Sequence, residues 1–147
     1  MDTPVSVLLR KKGDWAITIH PEATVYETIE RMVEHNVGAI LVTQAGELAG
    51  IFTERDYLRR IVLQGRTSKT TEVREVMTRD LVHATPETTV TECMTLMTEQ
   101  RCRHLPVLRD GHLAGLISMG DCVKCLLESA EEHAGQLQAF IRGDYPG

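Results

Sequence analysis

Two seven-residue segments of this chain carry the same pattern of chemically able side chains. Gly50-Ile-Phe-Thr53-Glu-Arg-Asp56 and Gly115-Leu-Ile-Ser118-Met-Gly-Asp121 both read glycine, two apolar residues, a hydroxyl, two variable residues and an aspartate. Each spans an expected strand-to-helix junction, and the chemistry suits a nucleotide. The glycine lets a ligand approach the backbone closely. The new helix offers free amides and a partial positive charge to a phosphate. The hydroxyl can bond phosphate or sugar, and the carboxylate can accept from paired ribose hydroxyls. A ligand-free reading exists as well, because a hydroxyl three residues before an acid is also a helix-capping pattern. Recurrence of the whole pattern behind a glycine at the end of an apolar run favours the nucleotide.

Other reactive side chains give weaker patterns. Cys122-Val-Lys-Cys125 supplies half of a structural zinc site, but on an expected helix. The matching positions of the first segment are Tyr57 and Arg60, so thiols are not a requirement of the repeated unit. Packing is the favoured role; a zinc or redox site would need help from Cys102 and His104. The six histidines show no metal-ligand spacing, and His83, His104 and His112 read as pocket-edge or surface residues. No nucleophile–base pairing is evident. The expectation is a protein that is not an enzyme and has no catalytic residues, no metal and no resident cofactor.

The elements around the two segments repeat too. Shifted by 65 positions, residues 21–56 align with 86–121 without a gap, and 13 of the 36 positions are identical. Each copy begins with an extended run, Ile17-Thr18-Ile19 or Leu81-Val82-His83-Ala84, closed by Pro21 or Pro86. Thr24…Glu27 and Thr89…Glu92 then fit a capping box. Val25, Ile29, Met32 and Val33 follow at helical spacing, as do Val90, Met94 and Met97, and Asn36 and Gly38 stop the first of these helices. Two strands joined by a turn come next: Ala39–Val42 and Leu48–Phe52 around Gly46, then Leu105–Leu108 and Leu113–Ile117 around Asp110-Gly111, a strong hairpin signal. A second helix enters at Thr53 and at Ser118. The order is β-α-β-β-α twice. Val73–Met77 is a helical turn before the second copy, with Val5–Leu9 as its counterpart. Residues 5–64 form copy one, 65–72 a linker, 73–128 copy two, and 129–147 a C-terminal helix and tail. Neither copy can cover both faces of its sheet. The two are expected to pack sheet to sheet about a pseudo-two-fold axis, with duplicate clefts along it.

Composition narrows the function classes. The chain has 147 residues, 16 Lys or Arg against 21 Asp or Glu, and a net charge of −5. That balance argues against a nucleic-acid partner, and the six scattered aromatics (Trp15, Tyr26, Phe52, Tyr57, Phe140, Tyr145) make no stacking platform. No apolar run suits a membrane span, so no membrane partner is expected. Four cysteines in a chain of this length do not make a disulfide framework; reduced thiols in a cytoplasmic protein are expected.

Taken together, the β-α-β-β-α order, the repeated Thr-x-Val-x-Glu helix start, Arg103-His104-Leu105-Pro106-Val107 and both Gly-h-h-[Ser/Thr]-x-x-Asp motifs resemble a tandem pair of cystathionine-β-synthase (CBS) domains. The likeness covers roughly residues 5–128 and is closest to the small stand-alone bacterial type, including the trailing Phe140–Pro146 segment. It implies an α+β fold and a regulatory sensor that binds an adenosine-containing ligand (AMP, ADP, ATP, NAD or S-adenosylmethionine) between the repeats. By that analogy Asp56 and Asp121 bind ribose, with Thr53 and Ser118 nearby. Thr18, His20, His83 and Thr85, together with Val37, Gly38, Ala39, Cys102, Arg103 and His104, line the pockets. Arg55 and His104 are the phosphate candidates. Arg55 is matched by Gly120, and Gly38-Ala39 by Arg103-His104, so the clefts should differ in charge. The resemblance also implies a homodimer and a regulated protein partner. Val123, Leu126, Ala130, Leu137 and Phe140/Ile141 form a helical stripe that covers the sheet, the other copy or a dimer partner. A ligand-free interaction scaffold and a Cys-based redox or zinc sensor are the competing readings.

Overall fold

The structure, a computed structural model, describes residues 2–12 and 16–141, with side chains for all of these except 133 and 135–141. Trp15, Tyr145 and the side chains of Leu137, Phe140 and Ile141, named above, lie outside the described residues. The elements run α1 (Val5–Lys12), β1 (Thr18–Ile19), α2 (Val25–Glu34), β2 (Ala39–Gln44), β3 (Glu47–Thr53) and α3 (Glu54–Asp56). A π-helical stretch, Tyr57–Val62, continues α3, and a 3-10 turn, Val73–Glu75, precedes the second copy. Then come α4 (Val90–Gln100), β4 (His104–Arg109), β5 (His112–Ser118) and α5 (Met119–Ile141).

Local chemistry sets these boundaries. The Glu27 amide donates to Thr24 Oγ1 at 3.1 Å and the Glu92 amide to Thr89 Oγ1 at 3.2 Å, which starts α2 and α4. The Glu27 carboxylate instead accepts from the Thr24 hydroxyl, so the reciprocal half of the box is replaced. Asn36 (φ 52°) and Arg101 (φ 55°), 65 positions apart, turn the chain left-handed after each helix. The hairpin turns Ala45-Gly46 and Asp110-Gly111 have positive φ at both residues, as a two-residue type I′ turn demands. Each hairpin is bulged at the matching place, after Val42 and after Val107.

One expected strand is missing from copy two. The first sheet is β1-β2-β3, with β1 parallel to β2, whereas the second is β4-β5 alone. Residues 81–84 contribute only a bridge, Ala84 to Val107. In copy one the Leu41 amide donates to the Ile17 carbonyl at 3.1 Å. The matching donor in copy two would be Pro106, which has no N–H.

The segments ahead of the copies exchange places. The Val5 and Ser6 amides bond the Thr88 and Pro86 carbonyls at 2.8 and 2.9 Å, so α1 docks on copy two. The Val73 and Arg74 amides bond the Ala23 and Pro21 carbonyls at 2.8 and 3.1 Å in the same way on copy one. Val5, Leu8 and Leu9 accordingly complete a core with Val90, Met97, Leu105 and Ile117, and Val73, Val76 and Met77 complete one with Val25, Ile40 and Phe52. A third cluster lies between the copies: Ala39, Leu41 and Ile51, with Ala16, Leu48, Leu81, Leu113 and Leu116 against them. Ala16/Leu81, Leu48/Leu113 and Ile51/Leu116 are pairs separated by 65, so equivalent positions of both copies build the shared core. The two repeats therefore pack sheet to sheet about a pseudo-two-fold axis. Among the described residues no helix is long and apolar enough to cross a membrane.

Candidate functional site

Both strand-to-helix junctions adopt the reciprocal cap. The Asp56 amide donates to Thr53 Oγ1 at 3.1 Å while Asp56 Oδ2 accepts from the Thr53 amide at 3.0 Å. The Asp121 amide and the Ser118 hydroxyl oxygen, and the Asp121 carboxylate and the Ser118 amide, repeat this at 3.0 and 2.9 Å. The ligand-free capping pattern is thus realised at both places. The glycines serve the chain itself. A Cβ on Gly50 would sit 2.7 Å from Met77 Sδ and 2.8 Å from the Thr78 carbonyl oxygen; one on Gly115 would sit 2.7 Å from Leu9 Cδ2. The close approach inferred for a ligand is taken at each glycine by the exchanged segment.

The two carboxylates differ in what else they meet. Asp56 is buried, and its Oδ1 accepts from the Thr78 hydroxyl at 3.3 Å with Arg60 Nε 3.8 Å away. The Arg60 guanidinium is also committed to the Val76 and Met77 carbonyls. Asp121 keeps 28% of its side chain exposed and meets an ammonium: Lys12 Nζ lies 2.7 Å from Oδ2 and donates to the Leu116 carbonyl at 2.9 Å. Burial alone would raise the Asp121 pKa, but the Lys12 bond and the Ser118 amide outweigh it and hold the group below its ordinary value. His104, opposite Ser118 in the ladder, has its pKa depressed by burial first and by the Lys12 charge second, which favours the neutral imidazole.

Strand register places the other candidates. Val37, Gly38, Ala39, Thr53, Arg55 and Asp56 share one end of the first sheet, since Ala39 pairs with Thr53 and the Glu54 amide reaches the Gly38 carbonyl at 3.1 Å. Cys102, Arg103, His104, Ser118 and Asp121 share the corresponding end of the second, closed by the Met119 amide on the Arg103 carbonyl at 2.8 Å. Thr18 and His83 stand two residues further in, because Thr18 pairs with Leu41 and Ala84 with Val107. His20 and Thr85 fall about four residues away, roughly 13 Å along a strand. His20 Nδ1 there accepts from the Glu22 amide and the Thr85 amide donates to Thr88 Oγ1. Arg55 crosses between repeats, donating to the Arg101 carbonyl at 3.4 Å. A groove of about 540 Å³ beside the second-repeat group is lined by Arg103, Met119, Gly120, Val123, Lys124, Leu127, Glu128 and Glu131.

Lys12, Thr78 and Arg60 escaped the sequence reading. The basic last turn of α1, Arg10-Lys11-Lys12, was the available signal for the first. The cysteines behave as core residues: burial pushes the thiol of Cys93 up to about 12 and that of Cys122 up to about 11, and Cys125 packs at the edge of the same cluster.

Comparison with known proteins agrees with this architecture. A family model described as "CBS domain" matches residues 1–63 and 73–128. The chain is 43% identical over 155 aligned positions to the CBS domain-containing protein CBSX3, mitochondrial, of Arabidopsis thaliana, across 97% of this chain and 74% of that protein. A solved structure from Burkholderia ambifaria MC40-6, provisionally described as a signal-transduction protein with CBS domains, superimposes with a TM-score of 0.82 at 46% identity, over 86% of this chain and 95% of that one. The CBS domain pair of protein MJ0100, solved with 5′-methylthioadenosine and S-adenosyl-L-methionine, shares the fold at a TM-score of 0.75 and 22% identity, over 84% and 99% of the two chains. This chain belongs to the CBS-domain family and carries two of its repeats in tandem.

Proposed function

We propose that the chain is a non-catalytic regulatory module of the cytoplasm that binds an adenosine-containing nucleotide between its repeats and passes its occupancy to a protein partner. The observation that carries this reading is Asp121: a part-exposed carboxylate, fixed by a helix cap, with an ammonium 2.7 Å away. An acceptor for a ribose diol and a cation for a phosphate stand side by side there. Asp56 has the same cap but is buried, with both oxygens engaged, so the second repeat is the favoured site. The adenosyl ligands of MJ0100 support the ligand class. Ligand held against both repeats shifts their relative arrangement only as far as it binds one arrangement better; Arg55 on the Arg101 carbonyl is a contact such a shift would alter.

A homodimer has a surface to use. Leu58 and Val62 on one copy, and Val123 and Leu127 at the matching positions of the other, are large apolar side chains left exposed. A second copy of the chain would cover them.

One observation favours a ligand-free scaffold instead, namely that capping alone accounts for both aspartates. Thermal unfolding with AMP, ADP, ATP, NAD and S-adenosylmethionine separates the two. At 100 times its dissociation constant a ligand adds about 2.7 kcal/mol to the folded state, a shift on the order of 5–10 °C at this size. Stabilisation by one of them that is lost in Asp121→Asn supports the sensor, since asparagine keeps a capping oxygen. No shift with any of the five leaves the scaffold.

A further inference from the structure

This inference rests on the nucleotide reading and narrows it. One oxygen of the carboxylate that would accept a ribose diol is already engaged twice: Asp121 Oδ2 accepts from Lys12, the last residue of α1, at 2.7 Å and from the Ser118 amide at 2.9 Å, while Lys12 also donates to the Leu116 carbonyl at 2.9 Å. The ammonium is not buried there, with 40% of the side chain exposed. The groove beside it carries both signs, with Arg103 and Lys124 facing Glu128 and Glu131 in its lining. Arg103 adds a second cation whose field reaches His104 and, with burial and Lys12, lowers its pKa. Glu128, the next acid along α5, is taken by Lys11 at 3.8 Å.

Ligand exchange at this carboxylate has a predictable electrostatic consequence. A ribose diol whose two hydroxyls span both oxygens of Asp121 competes with Lys12 for Oδ2 and draws the ammonium off its anion. With a neutral nucleoside the ammonium is left with the Leu116 carbonyl and solvent. With a sulfonium compound a further cation joins Lys12, Arg103 and Lys124. A phosphate supplies the anion that the sugar removed, within reach of a long, half-exposed side chain. The first repeat has no such ammonium on its aspartate, because Thr78 and Arg60 fill those places and Arg60 is held by two carbonyls.

We infer that the second-repeat cleft selects phosphorylated adenosine compounds over neutral or cationic ones, and that Lys12 sets the selection by leaving Asp121 for the phosphate when the ribose arrives. α1 thereby becomes part of the ligand site, although it precedes the other repeat in sequence.

Calorimetric titration of AMP, adenosine and S-adenosylmethionine into the wild type, Lys12→Met and Lys12→Arg tests this. A hydrogen bond to a charged group corresponds to roughly 10–150-fold in affinity, so the wild type should prefer AMP to adenosine by at least about tenfold. Lys12→Met should bind adenosine as well as the wild type or better, yet bring AMP to within about threefold of it. Lys12→Arg should keep most of the preference. An unchanged AMP-to-adenosine ratio in Lys12→Met overturns the inference, as does tighter binding of S-adenosylmethionine than of AMP to the wild type. Absence of binding by all three compounds to every protein removes the nucleotide reading itself, and this inference with it.

Discussion

His112 Nδ1 lies 3.1 Å from Glu47 Oε1, and these residues occupy the same position of the two repeats, 65 apart in sequence. A residue can touch its own repeat-mate only close to the axis that relates the copies, so this pair marks the pseudo-two-fold. Both side chains are more than half exposed. Such a pair contributes about 0–1 kcal/mol and less in salt. The joint is held beneath it, where the buried Ile51 meets the part-buried Leu48, Leu113 and Leu116, each contributing in proportion to the apolar area it hides, up to about 1.5–3 kcal/mol for a fully buried side chain.

The two motif glycines should differ in sensitivity. Alanine at Gly50 pushes a methyl group into the Thr78 carbonyl, which is held by the backbone bonds between Ile51 and Thr78, as well as into Met77. At Gly115 the obstacle is the end of a leucine side chain. Overpacking a core costs about 1–3 kcal/mol. Gly50→Ala should fall near the top of that range and Gly115→Ala near the bottom, measured by urea unfolding. Equal costs would mean that Leu9 cannot yield.

Ala45 offers a stabilising change. It holds φ 52° beside Gly46 in a turn whose repeat-mate has aspartate at the same place. The left-handed conformation disfavours alanine, and asparagine tolerates it better. Ala45→Asn should raise stability by about 0.5–1 kcal/mol, read from the urea midpoint at unchanged slope. A loss of stability would contradict the turn geometry.

His104 gives stability a pH dependence of known sign. Its pKa in the folded chain is depressed by burial and then by Lys12, so the unfolded chain binds more protons as pH falls. Stability is complete above the ordinary histidine pKa of about 6.5 and declines as pH drops from there through the folded value. Asp121, also depressed, adds a further loss near and below about pH 4. His104→Asn should flatten the decline between about pH 6.5 and 5 without removing the one at lower pH. Unfolding midpoints at pH 8, 6.5, 5 and 4 check this, and an unchanged slope in the variant would refute it.

The repeat, the caps at Thr24 and Thr89 and the turns at Gly46 and Gly111 were legible because each is a local pattern that residue type alone enforces. The shared core was legible in outline, since Leu48 and Leu113 recur at the same offset. The exchange of α1 and residues 73–77 was not, because it follows from which surface each segment meets in three dimensions and has a different offset: Val5 matches Val73, at 68. Lys12 went unseen for that reason. The shortened first strand of copy two could have been read from Pro106, whose missing amide stands where Leu41 donates in copy one. At the site, spacing identified the carboxylates, but it could not separate a buried, fully bonded Asp56 from a part-exposed Asp121 joined to an ammonium. That difference depends on Thr78 and Lys12, both distant in sequence.

The central claim, that this CBS pair binds a nucleotide through the second repeat, is tested most directly by calorimetric titration of AMP into the purified protein and into Asp121→Asn and Asp56→Asn. One AMP should bind per chain, with a loss of roughly 10-fold or more in affinity for Asp121→Asn and little change for Asp56→Asn. Tight binding that survives in Asp121→Asn and disappears in Asp56→Asn would contradict it.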